Sequence, residues 1–297
     1  MYYLIAVLSG CVISVMIALN GNLTSAYGLF SATVIIHIVG SLFAFLLIKS
    51  KGQKLNFSKD IPKWFFLGGA IGVGSAVFNN LAFGRISMTS IVALGLLGQT
   101  VASILIDCFG LFGMKKQPLG WSRVPGLILS AGGMAVMLLD SADPSQILAI
   151  GVSFAAGITV VVSRTVNARL SARTGELQGS FYNHIVGLPV SIVLMLIFGR
   201  SEPLFADFVI SSHWWIYFGG CFGVLTVLLF NITVPRMSML DLTFLSFAGE
   251  VFSGIAIDLL LKLGFSSLTF WGGILVSAGL MVDFGIEYVE KKKGARQ

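Results

Sequence analysis

Ten stretches of about 20 mostly apolar residues follow one another along this chain, a pattern that leaves very few folds open. A segment of that length matches the hydrocarbon thickness of a bilayer. No water reaches its backbone there, so it must form a helix that satisfies its own N–H and C=O groups. The stretches run approximately Tyr2 to Asn20, Leu29 to Ile48, Trp64 to Phe83, Ser87 to Phe109 and Trp121 to Leu139. A second set covers Gln146 to Val166, Gln178 to Phe198, Trp214 to Val234, Leu240 to Leu261 and Ser267 to Phe284. Composition agrees, because 11% charged residues is about half of what a soluble surface of this size requires. Cytosolic enzymes and secreted domains are thereby excluded. Cys11, Cys108 and Cys221 all fall inside apolar runs and make no disulfide framework. The first stretch lacks a basic leader and a small-residue cleavage site, so it is expected to be a retained helix.

The net charge of +6 follows the loops and forms no patch suited to nucleic acid. With ten spans, one side collects Lys49, Lys51, Lys54, Lys59 and Lys63, then Lys115, Lys116 and Arg123, then Arg164, Arg169, Arg173, Arg236 and the basic C-terminal residues. The other side holds Arg85, Arg200 and Lys262. The positive-inside bias makes the first side cytoplasmic and puts both termini there, as expected of a protein in a bacterial inner membrane.

The chain also repeats itself. Residues Gly10 to Gly40 align without gaps on Gly157 to Gly187, pairing Asn20 with Asn167, Gly28 with Gly175, and His37-Ile38-Val39-Gly40 with His184-Ile185-Val186-Gly187. A second block pairs Gly68 to Gly113 with Gly219 to Gly264, including Asn80/Asn231, Arg85/Arg236, Gly98/Gly249 and Asp107/Asp258. Shared apolar composition would not align Asn, Arg, His and Asp in order. Each unit holds five spans, an odd number, so the second enters the membrane from the opposite face. The expected fold class is an all-α membrane protein of ten transmembrane helices in a 5+5 inverted repeat. The expected division is 1–140 and 146–290 for the two units, 141–145 for a linker and 291–297 for a basic tail. Repeats of this kind recur in secondary transporters, whose halves exchange conformations around a central site.

Ten helices, a 5+5 repeat and cytoplasmic termini resemble the drug/metabolite transporter superfamily. More narrowly, Asn20-Gly21-Asn22-Leu23, its counterpart Asn167-Ala168-Arg169-Leu170, and the Arg-x-Ser-Met of Arg85 to Met88 and Arg236 to Met239 are similar to the YdcZ-type family in a fused form. That resemblance implies a carrier of small solutes, acting as an exporter, and names no substrate.

An ionisable residue inside a span costs on the order of 3 kcal/mol, which makes each a candidate for function. Glu250 lies about midway along the ninth span, and its repeat partner on the fourth is the neutral isostere Gln99. In the functional interpretation Glu250 binds a proton or a cationic solute in exchange. In the structural one it is a protonated acid hydrogen-bonded to a neighbouring helix. Thr243 and Ser246 recur near the same face, as cavity lining or as small packing residues. His37 and His184 sit at equivalent mid-span positions, either lining a site or donating to backbone carbonyls at a helix contact. Tyr182 and Asn183 have the apolar counterparts Ile35 and Ile36, so a solute contact there is asymmetric.

Inversion puts one Asp and one Arg in each leaflet. Asp107 with Arg236 and Asp258 with Arg85 are candidate inner and outer gates; alternatively the arginines reach headgroups and the aspartates satisfy nearby helix ends. Asn20, Asn167, Asn80 and Asn231 are expected as polar contacts between helices. No metalloprotease, intramembrane protease or dinucleotide pattern is present, so no enzyme, metal or cofactor is expected. The expected function is alternating-access transport of a small cationic or amphipathic solute coupled to protons, with an uncoupled facilitator of a neutral solute as the alternative. The expected partners are that solute, protons and lipid, in a monomer or a homodimer.

Overall fold

The computed structural model describes residues 1–297 apart from 57–59, 83–84, 87, 139–145, 204–209, 261–266 and 295–297; at 80, 88, 89, 258, 287, 288 and 290–294 only the backbone is described. Its α-helices are α1 (Tyr2–Tyr27), α2 (Leu29–Ser50), α3 (Gly68–Ala82), α4 (Met88–Phe109), α5 (Val124–Met137), α6 (Ile147–Thr174), α7 (Glu176–Phe198), α8 (Gly219–Thr233), α9 (Met239–Leu260) and α10 (Ser267–Gly294). Each expected span corresponds to one helix. Among the described residues eight of them are long and apolar enough to cross a membrane. Helix α8 reaches that length as Trp214–Arg236, with the 3-10 turns that flank it, while α3 and α5 remain shorter, and 3-10 turns at Lys63–Leu67 and Trp121–Arg123 lead into them. The expected linker 141–145 lies outside the described residues, and α10 continues to Gly294 at the start of the expected tail.

Helices α1 and α6 outrun their apolar stretches because nothing breaks the backbone until Gly28 and Gly175. These equivalent glycines have φ of +89° and +95°, where a Cβ is strained, and each N–H closes the preceding helix on Thr24 O or Ser171 O.

Helices α2 and α7 are antiparallel: Phe30 stacks on Phe198 at one end, His37 lies beside His184 in the middle, and Phe45 meets Phe181 at the other. The equivalent helices α5 and α10 cross in the same sense, with Gly126 against Gly279 and Gly133 against Gly272. The other pairings exchange when the units are swapped. Helix α1 packs on α9 as α6 packs on α4, and α8 packs on α1 as α3 packs on α6.

Lipid offers no hydrophobic drive for helix association, so close backbone approach and interhelical hydrogen bonds must supply it. Gly10 of α1 meets the backbone of Ser246 and Glu250, while its equivalent Gly157 meets that of Gly95 and Gln99. Gly249 and Gly98 complete these notches against Val7 and Phe154. The outer surface is apolar, with Leu8, Leu42, Leu46, Ile128, Val193 and Ile197 exposed, and exposed Trp64, Trp121, Trp214 and Trp271 stand in the first turns of helices or the 3-10 turns before them. Tyr3 meets Phe284 edge to face at 5.0 Å between ring centroids, so both termini share one end of the bundle.

Candidate functional site

Three polar side chains stand midway along α4, α6 and α9, and two of them meet. Arg164 on α6 donates from Nη1 to Gln99 Oε1 on α4 at 3.0 Å, and its guanidinium lies 4.0 Å from the ring centroid of Phe230 on α8. Glu250 lies midway along α9, the helix that Thr243 Oγ1 and Ser103 Oγ tie to α4. All three are partly buried. The backbone of Glu250 is tied down, with its carbonyl accepting from Ser14 Oγ at 2.5 Å and from Ser253 Oγ at 3.4 Å. Its carboxyl makes no hydrogen bond or ion pair among the described residues.

The local sequence explains this placement. Gln99 and Glu250 each follow a notch glycine, Gly98 or Gly249, which fixes the rotation of α4 against α6 and of α9 against α1. One turn further on, Ser103 Oγ and Thr243 Oγ1 are 2.9 Å apart and join α4 to α9; both are buried, as is Ser246. The site therefore offers a fixed guanidinium, a neutral amide already engaged, and a carboxyl free to take a partner.

The histidines form a second polar layer at the crossing of α2 and α7. Their ring centroids are 5.7 Å apart, with Nδ1 of His37 at 2.8 Å from Thr33 O and Nδ1 of His184 at 2.9 Å from Ser180 O. A carbonyl only accepts, so each Nδ1 carries the proton and each Nε2 is left as an acceptor. The rings fit over glycines: His184 against Gly40 and Gly223, His37 against Gly187. Along α8, Gly223 beside His184 and Phe230 beneath Arg164 are seven positions apart, which places the layers roughly 10 Å from each other.

Asp107 is a helix-end acceptor. Its Oδ1 and Oδ2 take the backbone N–H groups of Met239 and Leu240, both at 2.9 Å, at the start of α9. Arg236 instead pairs with Glu176 at 3.5 Å and lies over Tyr2. The structure thus does not bring Asp107 and Arg236 together. Arg85 is exposed, and the Asp258 side chain lies outside the described residues, as does that of Asn80. Tyr182 donates from its hydroxyl to Asn56 O at 2.7 Å and fastens the loop after α2. Asn183 accepts from Asn167 Nδ2 at 2.8 Å. Asn231 donates to Glu176 O at 3.0 Å, and Asn20 abuts Gly219 with its Oδ1 buried.

Arg164 is a correction to the loop assignment of basic residues, since α6 carries it well inside the bundle. Two further groups were not singled out by sequence. Glu202 accepts from Phe30 N, Ser31 N and Ser31 Oγ at 2.7–2.8 Å, capping α2. Arg123 pairs with Asp241 at 2.8 Å in the first turn of α9. No cluster of three or more His, Cys, Asp or Glu capable of holding a metal occurs among the described residues.

Comparison with known proteins gives the class. The sequence matches the family described as "Putative inner membrane exporter, YdcZ" over residues 1–136 and over 148–282, so both halves of the chain are covered. The chain belongs to this YdcZ-type family of inner membrane proteins. It is also similar to a crystal structure described only as "Crystal structure of protein", with a TM-score of 0.74 and 18% identity over 95% of this chain and 98% of that one, a likeness of fold alone. No curated protein matches it.

Proposed function

We propose that the chain is a proton-coupled exporter working by alternating access, with both termini cytoplasmic and Glu250 as the group for which proton and solute compete. One observation carries this: midway along α9 the Glu250 carboxyl makes no hydrogen bond or ion pair among the described residues, in a membrane protein whose equivalent helices α2 and α7 cross antiparallel. A carboxyl so placed takes either a proton or a cationic group of the solute, and exclusion of one by the other is what couples their movements. The antiparallel units supply the two conformations, each opening the site to one face. At the end that bears the termini, Asp107 and the Arg123–Asp241 pair tie α9 to α4 and to the start of α5.

The test is solute-driven pH change in liposomes containing the parent protein or Glu250→Gln. The parent moves protons against a solute gradient and the variant does not. Proton movement that survives the substitution removes Glu250 from the mechanism. Solute movement without protons in the parent makes the protein an uncoupled facilitator.

A further inference from the structure

Three segments meet at the end of the bundle that bears the termini: the turn Lys63–Leu67 before α3, residues 110–116 between α4 and α5, and residues 169–174 that finish α6. Arg169 on α6 joins them. It donates from Nη1 to Gly113 O at 3.4 Å, and its guanidinium lies 5.7 Å from the ring centroid of Phe65. Trp64 meets Phe65 edge to face at 4.3 Å between centroids and lies 6.2 Å from Phe112. Lys63 stands next to Trp64, Lys115 and Lys116 follow Gly113, and Arg173 is one turn beyond Arg169 on the same face of α6. The three segments thus carry five cations and no acid. The acids that flank them are Asp60, Asp107 and Glu176; the second caps α9 and the third pairs with Arg236. Arg169 has donors to spare, since its Nε is buried without an acceptor and Gly113 O is the one partner of its guanidinium among the described residues. Beside these charges the surface is apolar. Trp64, Leu67 and Leu111 are 42%, 48% and 42% exposed, the tryptophan standing at the helix start where an interfacial ring belongs.

We propose that this junction binds an anionic phospholipid of the leaflet at the end that bears the termini, its phosphate on Arg169 and the lysines around it, its glycerol and upper acyl chain along Trp64, Leu67 and Leu111. A soluble anion has no use for the exposed apolar side chains, and a zwitterionic lipid brings its own cation to a surface that already holds five. An anionic lipid matches both parts. Each basic residue beside such a headgroup strengthens binding roughly fivefold, and the guanidinium plane suits two phosphate oxygens at once. The turn Lys63–Leu67 and residues 110–116 lie in the first matched half of the chain and α6 in the second, so a lipid seated here also ties the halves together. The site occurs once: in the gapless repeat block the positions equivalent to Arg169 and Arg173 are Asn22 and Ala26, at the opposite end of the bundle. It is independent of the carrier interpretation and holds whatever the solute.

The test is tryptophan fluorescence of the full-length protein in phosphatidylcholine nanodiscs, with a small fraction of the lipid replaced by phosphatidylglycerol or phosphatidylcholine brominated on one acyl chain, which quenches tryptophan on contact. Brominated phosphatidylglycerol quenches more than the same fraction of brominated phosphatidylcholine, and Trp64→Phe removes the difference. Arg169→Gln weakens the apparent affinity for phosphatidylglycerol about fivefold, Arg169→Lys restores most of it, and Arg200→Gln at the opposite end leaves it unchanged. Excess inorganic phosphate leaves the quenching in place. Equal quenching by the two lipids, a difference that survives Trp64→Phe, or an unchanged affinity in Arg169→Gln overturns the proposal. Displacement by inorganic phosphate overturns the lipid as occupant and makes the site one for the free anion. The parent protein and Trp64→Phe decide the comparison if Arg169→Gln does not fold.

Discussion

Removing Asp107 should loosen the end of the bundle that bears the termini. The carboxylate accepts the first two N–H groups of α9, from Met239 and Leu240, each at 2.9 Å, and all three residues are buried. In Asp107→Ala those donors lose their partner where water is scarce. An unsatisfied buried donor costs about 1–3 kcal/mol, so two cost at least about 2 kcal/mol. Loss of the favourable charge at a helix N-terminus adds up to about 1 kcal/mol, offset in part because a buried carboxylate no longer has to be desolvated. Ser238 Oγ still accepts from Asp241 N and Arg123 still holds Asp241, so the helix stays formed while its tie to α4 is lost. A net change of about 2 kcal/mol raises the population of the loosened end roughly thirtyfold. Cys108 reports it directly, since it lines the same cavity of about 100 Å³ as Asp107, Gln117 and Arg123. With Cys11 and Cys221 replaced by Ala, maleimide labelling of Cys108 in nanodiscs should speed up by about thirtyfold in Asp107→Ala, and by less in Asp107→Asn, which keeps one acceptor. Labelling at the parental rate with an unchanged Tm would show that the contact does not hold this end shut.

Two further substitutions test the packing. Gly28→Ala and Gly175→Ala both force a Cβ into φ near +90° with an extended ψ, at about 1–3 kcal/mol each. Nothing else lies near Gly175, whereas a Cβ at Gly28 meets the Glu202 side chain that caps α2, so Gly28→Ala should lower Tm by more; equal decreases refute the difference. Gly157→Val pushes a side chain into the backbone of Gly95 and Gln99, which cannot move aside, and should cost about 3 kcal/mol or more, seen as loss of monodisperse protein in size-exclusion chromatography. Gly151→Val on the same helix, where there is open space, is the control and should elute normally.

Most of the fold was legible because bilayer length and glycine punctuation are one-dimensional signals. Gly28 and Gly175, aligned in the repeat, stand at equivalent helix junctions in the structure, and the aligned Gly98 and Gly249 stand at equivalent notches, roles the alignment alone did not assign. Helix ends were less legible, since polar residues such as Asn167 and Arg169 lower hydropathy without breaking an α-helix. Arg164 shows what this does to a site. It stands opposite Ile17 in the gapless repeat block, which already placed it inside the membrane, yet a charge near the end of an apolar stretch was assigned to a loop. For Asp107 the helix-end alternative to the gate is the one the structure bears out, and what stayed illegible is which helix end it caps. A backbone N–H carries no residue identity, so an Asp that caps a distant helix looks in sequence like one in search of an Arg.

The duplication also explains why the site is heteropolar. Two identical five-helix units around a two-fold axis would present each central residue twice, giving two carboxyls or two guanidiniums at the same depth. Like charges 4 Å apart repel by about 4 kcal/mol at an effective dielectric constant of 20. In the fused chain the equivalent positions have diverged separately: Arg164 replaces the apolar Ile17 on one repeat position, and Glu250 replaces the neutral Gln99 on another. The result is one positive and one negative group on a nearly symmetric scaffold, with Gln99 retained as the neutral acceptor that orients the arginine. Fusion therefore permits a kind of site that pairing of identical units does not. The pairing of equivalent helices survives, while residues at equivalent central positions become chemically distinct.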